Sequence, residues 1–253
     1  MKNAPLTKAN RRNPVAAGTL ALLLMLCSRA DSSTLIQVTP DDPGTAGAGF
    51  VVLSSGWNVL SPLYSGVTGL ADYGVASLLD STGTPTGISL AADNTNRFNA
   101  YNSLGSTLAS PGFPADVKRE SFFGNDVAFN GFTQPTATWV FGGFDPNDDL
   151  MFTFFASRMG VADNREGLYE VVGASTQSTT LNASNNDSNF ASVTVKADAL
   201  GNVVLNMSKG PNNDNANGFF YLSAMTVEIV PEPSSAMLVL LAGLGLCVVR
   251  RRG

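Results

Sequence analysis

The 253-residue chain contains no histidine, and its two cysteines, Cys27 and Cys247, stand near opposite ends. Residues 31–230 therefore lack both residue types. Ser-His-Asp and Cys-His nucleophilic schemes are excluded there, as are histidine or thiolate metal sites and disulfides. Neither a P-loop nor a dinucleotide-binding glycine fingerprint occurs. A stretch of this length without disulfides must stand on its own hydrophobic core, and it is long enough to do so.

Charge is scarce too, at 14% of residues. Within residues 31–230, seven Lys or Arg against nineteen Asp or Glu leave a net charge of −12. Such a surface argues against nucleic acid and anionic membranes as partners and suits neutral glycans or bound cations. Gly, Asn, Ser and Thr are plentiful, the composition of short strands joined by tight turns.

The two ends differ from this middle. At the start, Lys2, Lys8, Arg11 and Arg12 precede an apolar run at 15–26, and Ser28-Arg29-Ala30 places small residues where a signal peptidase cuts. The expectation is a leader over 1–30, passed to the Sec machinery and cleaved between Ala30 and Asp31. Cys27 invites acylation, yet Leu26 stands where a lipobox carries a small residue. At the other end come Pro231-Glu232-Pro233, an uncharged run at 236–249, and Arg250-Arg251-Arg252. The prolines make a stiff extended spacer. At ~1.5 Å per residue the run spans roughly 21 Å as a helix, short of the ~30 Å hydrocarbon core, so it is a marginal transmembrane anchor. The arginines keep that end cytoplasmic by the positive-inside rule.

Residues 230–253 resemble the PEP-CTERM sorting signal of Gram-negative bacteria. The resemblance implies processing by exosortase, a membrane protease, near Glu232, and a fate at the cell surface or in the extracellular matrix. An ordinary tail anchor explains the apolar run but not Pro-Glu-Pro.

Between the ends, strand-like segments recur at 34–38, 50–53, 75–79, 88–92, 137–141, 150–157, 167–172, 179–181, 191–196, 203–207 and 219–229. Alternation in Val193-Thr194-Val195-Lys196 and Met225-Thr226-Val227-Glu228 puts one face in the core and the other in water. One short helix is expected over 115–123, broken by Gly124. The expectation is an all-β chain with a single β-sandwich, jelly-roll-like domain over 31–229. Leu79-Asp80 with Thr86-Gly87-Ile88-Ser89-Leu90, Gly143-Phe144-Asp145-Pro146, Phe152-Thr153-Phe154-Phe155-Ala156-Ser157-Arg158, Asp163-Asn164-Arg165-Glu166 and Gly210-Pro211-Asn212-Asn213 ahead of Phe220-Tyr221-Leu222 resemble galactose-binding-like jelly-roll accessory domains of secreted bacterial proteins. That resemblance implies a β-sandwich able to bind carbohydrate and names no ligand.

Candidate ligand-binding residues are few. Trp57, between Gly56 and Asn58, reads equally as a core plug or a stacking platform for a sugar ring. Trp139 lies inside a hydrophobic strand and reads as core, and Tyr64, Tyr73 and Tyr101 are lesser platforms. Arg158 and Arg165 suit a ligand or a structural ion pair. Asp145, Asp148 and Asp149 have the oxygen chemistry of a calcium site, but the same run makes an ordinary turn and lacks EF-hand spacing. Asp163, Glu166 and Glu170 are the nearest acids for glycoside hydrolysis, though residues four apart on one strand stand about 13 Å apart, too far for either glycosidase geometry. The expected role is therefore an exported, non-enzymatic surface or matrix protein, with exopolysaccharide as its ligand. A carboxylate-only hydrolase and a purely structural coat protein are the alternatives.

Overall fold

The computed structural model describes residues 33–41, 54–61, 69–70, 73–93 and 95–230. The expected leader with its Ala30/Asp31 junction, the strand at 50–53, Tyr64, Pro231-Glu232-Pro233 and Arg250-Arg251-Arg252 lie outside these residues. Among the described residues, no helix is long and apolar enough to cross a membrane.

The chain is all-β. Its first sheet has the order β12-β9-β15-β1-β2, from Ala191–Val195, Asp149–Phe155, Ala224–Val230, Thr34–Pro40 and Asn58–Leu60. A second has the order β11-β10-β13-β8-β4-β3, from Thr176–Asn182, Glu166–Val172, Val203–Lys209, Thr136–Gly142, Ser89–Ala92 and Gly74–Val75. A third has the order β14-β6-β5, from Phe220–Leu222, Ser121–Phe129 and Ala100–Asn102, with β7 (Phe132–Gln134) also paired to β6. Apart from the parallel β1–β2 pair, the pairs are antiparallel.

Alternation decides which faces meet. In β8, Ala137, Trp139 and Phe141 are buried, and Leu205 and Val203 of β13 lie opposite Trp139 and Phe141. In β9, Phe152 and Phe154 point the same way, opposite Val227 and Met225 of β15. Phe141 meets Phe152 edge-on at 5.8 Å, and Phe154 stacks on Tyr169 of β10 at 4.6 Å, so these rings join the first sheet to the second. Each such aromatic pair adds roughly 0.5–1.5 kcal/mol beyond area burial. Trp139 is 1% exposed, and its indole N–H donates to Oη of the half-buried Tyr73 at 2.6 Å, so the core tryptophan has a satisfied polar tip and Tyr73 packs against the core beside it.

Three elements differ from the sequence expectation. The helix α1 covers only Ala115–Arg119, and 121–123 belong to β6. Phe122 is buried against Phe98 and Phe123 packs the opposite way onto Phe219, a two-sided burial that a strand provides. Gly124 is consequently a strand residue: a Cβ there would come within 2.1 Å of the Phe220 ring. The apolar run at 219–229 is two strands divided at Ser223. Ser223 donates its N–H to Phe155 O at 2.9 Å and accepts from the Ser157 N–H at 3.1 Å, which satisfies the break where the chain passes from the third sheet to the first. Finally, β5 and the β6–β7 hairpin fall where no strand was expected. The hairpin turns at Asn130 and Gly131, with φ of 53° and 85°, the two left-handed positions of a tight hairpin turn.

Candidate functional site: an aromatic cleft with two arginines

The outer face of the third sheet begins with one row of residues. The register sets Ala100, Phe123 and Tyr221 side by side on β5, β6 and β14. Small Ala100 leaves space beside the two rings, while Phe219 and Phe129 close the other side. Phe123 and Phe129 each meet Phe219 edge-on, at 5.4 and 4.9 Å. The result is a cleft of about 320 Å³, whose rim also carries Tyr101, Asn102 and Asn130. The β9–β10 connection brings Arg158 and Arg165 into the same lining.

Arg165 is fixed on every side. Its Nε donates to Asp163 Oδ1 at 2.9 Å and its NH1 to Tyr221 Oη at 2.6 Å. The guanidinium carbon lies 5.5 Å from the Phe219 ring centroid and 5.9 Å from that of Tyr221, within cation–π range. Asp163 in turn accepts from the side-chain amide of Asn215. Arg165 holds the Asp163 carboxyl below the ordinary carboxylate range, with Asn215 assisting against burial. Burial works against the Arg165 charge, but Asp163 and Tyr221 outweigh it and raise the guanidinium pKa. Burial pushes the Tyr221 hydroxyl up, although Arg165 and Arg158 pull the other way.

The asparagine-rich loop after β13 braces this arrangement instead of simply turning in solvent. Asn213, 7% exposed, donates to Glu166 O at 2.8 Å and Phe219 O at 2.7 Å. Asp214 Oδ1 accepts from the Asn164 N–H at 2.6 Å, and Glu166 Oε1 from the Asn212 N–H at 3.0 Å. The sequence expectation missed Phe123, Phe129, Asn130, Phe219 and Tyr221 as cleft residues. The Asn-Gly dipeptide between Phe129 and Phe132 was the available signal, since it marks a tight hairpin.

Other candidates lie elsewhere. Trp57 is 8% exposed and packs on Phe113 at 5.7 Å in a second cluster with Phe155 and Val117, on the face of the first sheet turned away from the main core. Glu166 braces the loop above, and Glu170 accepts from Asn206 Nδ2 at 3.1 Å. Asp145 Oδ1 accepts from the Asn147 N–H at 2.9 Å, and Asp149 pairs with Lys196 at 3.2 Å. Asp145 and Asp148 line a shallow cleft with Asp80, whose Oδ1 already accepts from Thr82 and Thr84. Among the described residues, no group of three or more His, Cys, Asp or Glu is placed to hold a metal ion.

Neither a family model nor a curated protein matches the chain. Solved structures similar to it include the ANX2 ectodomain from Arabidopsis thaliana, at TM-score 0.42 and 12% identity over 78% of this chain and 50% of that one. The ANXUR1 extracellular domain from the same plant gives 0.40 and 12% over 79% and 50%. TmCBM61 in complex with β-1,4-galactotriose gives 0.23 and 8% over 57% and 86%. The chain spans about half the length of the two plant structures. All three TM-scores are below 0.5.

Proposed function

We propose that the chain is an exported, non-enzymatic surface or matrix protein whose jelly-roll-like β-sandwich holds a polysaccharide in the cleft over Phe123, Phe219 and Tyr221. The carrying observation is the cleft itself: edge-to-face aromatic rings flanked by amide and guanidinium donors, the combination that packs the C–H face of a sugar while holding its oxygens. The lining supports a binding role: among the described residues it supplies aromatic rings, amides and guanidinium groups and includes no Asp or Glu of the kind a carboxylate-only hydrolase uses. Export rests on the residue order at the two ends, a leader over 1–30 and a PEP-CTERM-like segment over 230–253, with exosortase, signal peptidase and the membrane as partners in transit.

Two experiments test the two clauses separately. A glycan array probed with the full chain is expected to give binding that Tyr101→Ala and Phe129→Ala weaken. Silence across the array would remove the binding clause. For sorting, the mass of the mature protein from an exosortase-bearing host is expected to start at Asp31 and to lack the segment after Pro-Glu-Pro, with that loss abolished by Glu232→Ala. An intact tail in both proteins would overturn processing and leave a membrane-tethered β domain.

A further inference from the structure

Residues 31–230 hold four arginines, and three of them line two neighbouring clefts. Arg165 and Arg158 line the aromatic cleft. Arg158 and Arg119 line a second one of about 460 Å³, walled by Ser103, Leu104 and Gly160. The clefts share Arg158, and the consecutive residues Asn102 and Ser103 pass from one to the other. Among the described residues, neither lining contains a carboxylate. In a stretch with net charge −12, this concentration of cations is the reverse of the average surface.

The arginines are not equivalent. Arg165 is committed to Asp163 and Tyr221. Arg158 is half-buried, its guanidinium donates to the carbonyl of Met159, and it has no carboxylate partner among the described residues. Its planar guanidinium fork matches a carboxylate bidentately. A neutral sugar is gripped best where strong acceptors meet its hydroxyls, and carboxylates, the strongest of these, are missing from both linings while the strongest donors are present.

We infer that the paired clefts form a track for an acidic polysaccharide, with Arg158 binding the carboxylate of a uronic acid unit whose ring packs over the aromatic floor. This rests on the glycan-binding reading above and gives that ligand its charge. Two clefts joined at one arginine suit a polymer carrying a carboxylate on successive units better than a single small anion.

The test is calorimetric titration of the full chain with oligogalacturonate and oligo-alginate, each beside its methyl ester, which keeps the backbone and removes the charge. The acids are expected to bind and the esters to bind about tenfold or more weakly, the scale of a lost charge-assisted pair. Arg158→Ala should bring acid binding down to the ester level without moving the thermal midpoint, since this side chain bonds only a neighbouring carbonyl. Arg158→Lys should recover part of the loss, because an ammonium cannot bind bidentately. Equal binding of acid and ester, or acid binding unchanged in Arg158→Ala, would overturn the inference while leaving a neutral-glycan reading intact. Poly-glutamate binding as tightly as the uronates would remove the sugar from it. Absence of binding to every glycan would remove both readings together.

Discussion

A single hydroxyl ties the core to the cleft. Tyr169, 1% exposed and stacked on Phe154, donates its hydroxyl to Tyr221 O at 2.6 Å, so the floor of the cleft hangs from a core ring. Tyr169→Phe keeps the stack and removes the bond. It should cost about 1 kcal/mol or somewhat more, the net worth of a buried hydrogen bond, read as a lower urea midpoint with unchanged slope. An unchanged midpoint would show that the contact holds nothing. Lys118 is a second residue with an unusual station. It is fully buried, donating to Leu108 O at 2.6 Å and Ser110 Oγ at 3.0 Å, and its ammonium sits 4.8 Å from the Phe155 ring centroid. Burial lowers its pKa despite the opposing pull of Asp187. Sequence offered no sign of this, because a lysine in a short helix ordinarily reads as solvated.

At the scale of elements, the third sheet is the decisive one, since it carries core rings on one side and the cleft floor on the other. Gly124 permits that double use by letting the Phe220 ring lie directly over the backbone of β6. Gly124→Ala should therefore overpack the site and destabilise the chain by about 1–3 kcal/mol, measurable by chemical unfolding. Full tolerance would mean that Phe220 has room to move. The β6–β7 turn offers a gentler probe. Gly131 holds φ of 85°, and a Cβ added there meets nothing within 4 Å, so Gly131→Ala strains the backbone without a clash. It should loosen the hairpin carrying Phe129 and weaken glycan binding more than it lowers global stability. The reverse order of effects would place the hairpin in the folding core instead of the binding wall.

For the whole molecule, acid is the expected stress. The Asp163 carboxyl is held low chiefly by Arg165, Asp80 by the Thr82 hydroxyl, Asp93 by the Asn96 N–H and Asp198 by the Asn202 N–H. In each case the folded pKa lies below the unfolded one, so the unfolded chain binds more protons in the interval between them. The associated stability is present above the ordinary carboxylate pKa of about 3.9 and is lost as pH falls through the folded values. The thermal midpoint should be level above about pH 5 and decline below about pH 4, with Asp163→Asn making that decline shallower. A midpoint constant down to about pH 2 would contradict the linkage. Asp163 and Arg165, at 29% and 13% side-chain exposure, should contribute more than the open turn aspartates, whose interactions salt screens.

The all-β class, the inward faces of β12 and β15, and the core role of Trp139 were legible in the sequence, because two-residue alternation and local turn chemistry are written along the chain itself. Arg158 and Arg165 were also visible there, as two of few cations among many carboxylates. Tertiary structure alone decided that they share one cleft, that Trp57 plugs a second core, that 219–229 divides at Ser223, and that the asparagine-rich loop is a brace. Each of these depends on groups brought together across long separations, such as Arg165 with Tyr221 or Glu166 with Asn212. Local sequence sets which way a side chain points from its strand, whereas the pairing of distant strands sets what it meets.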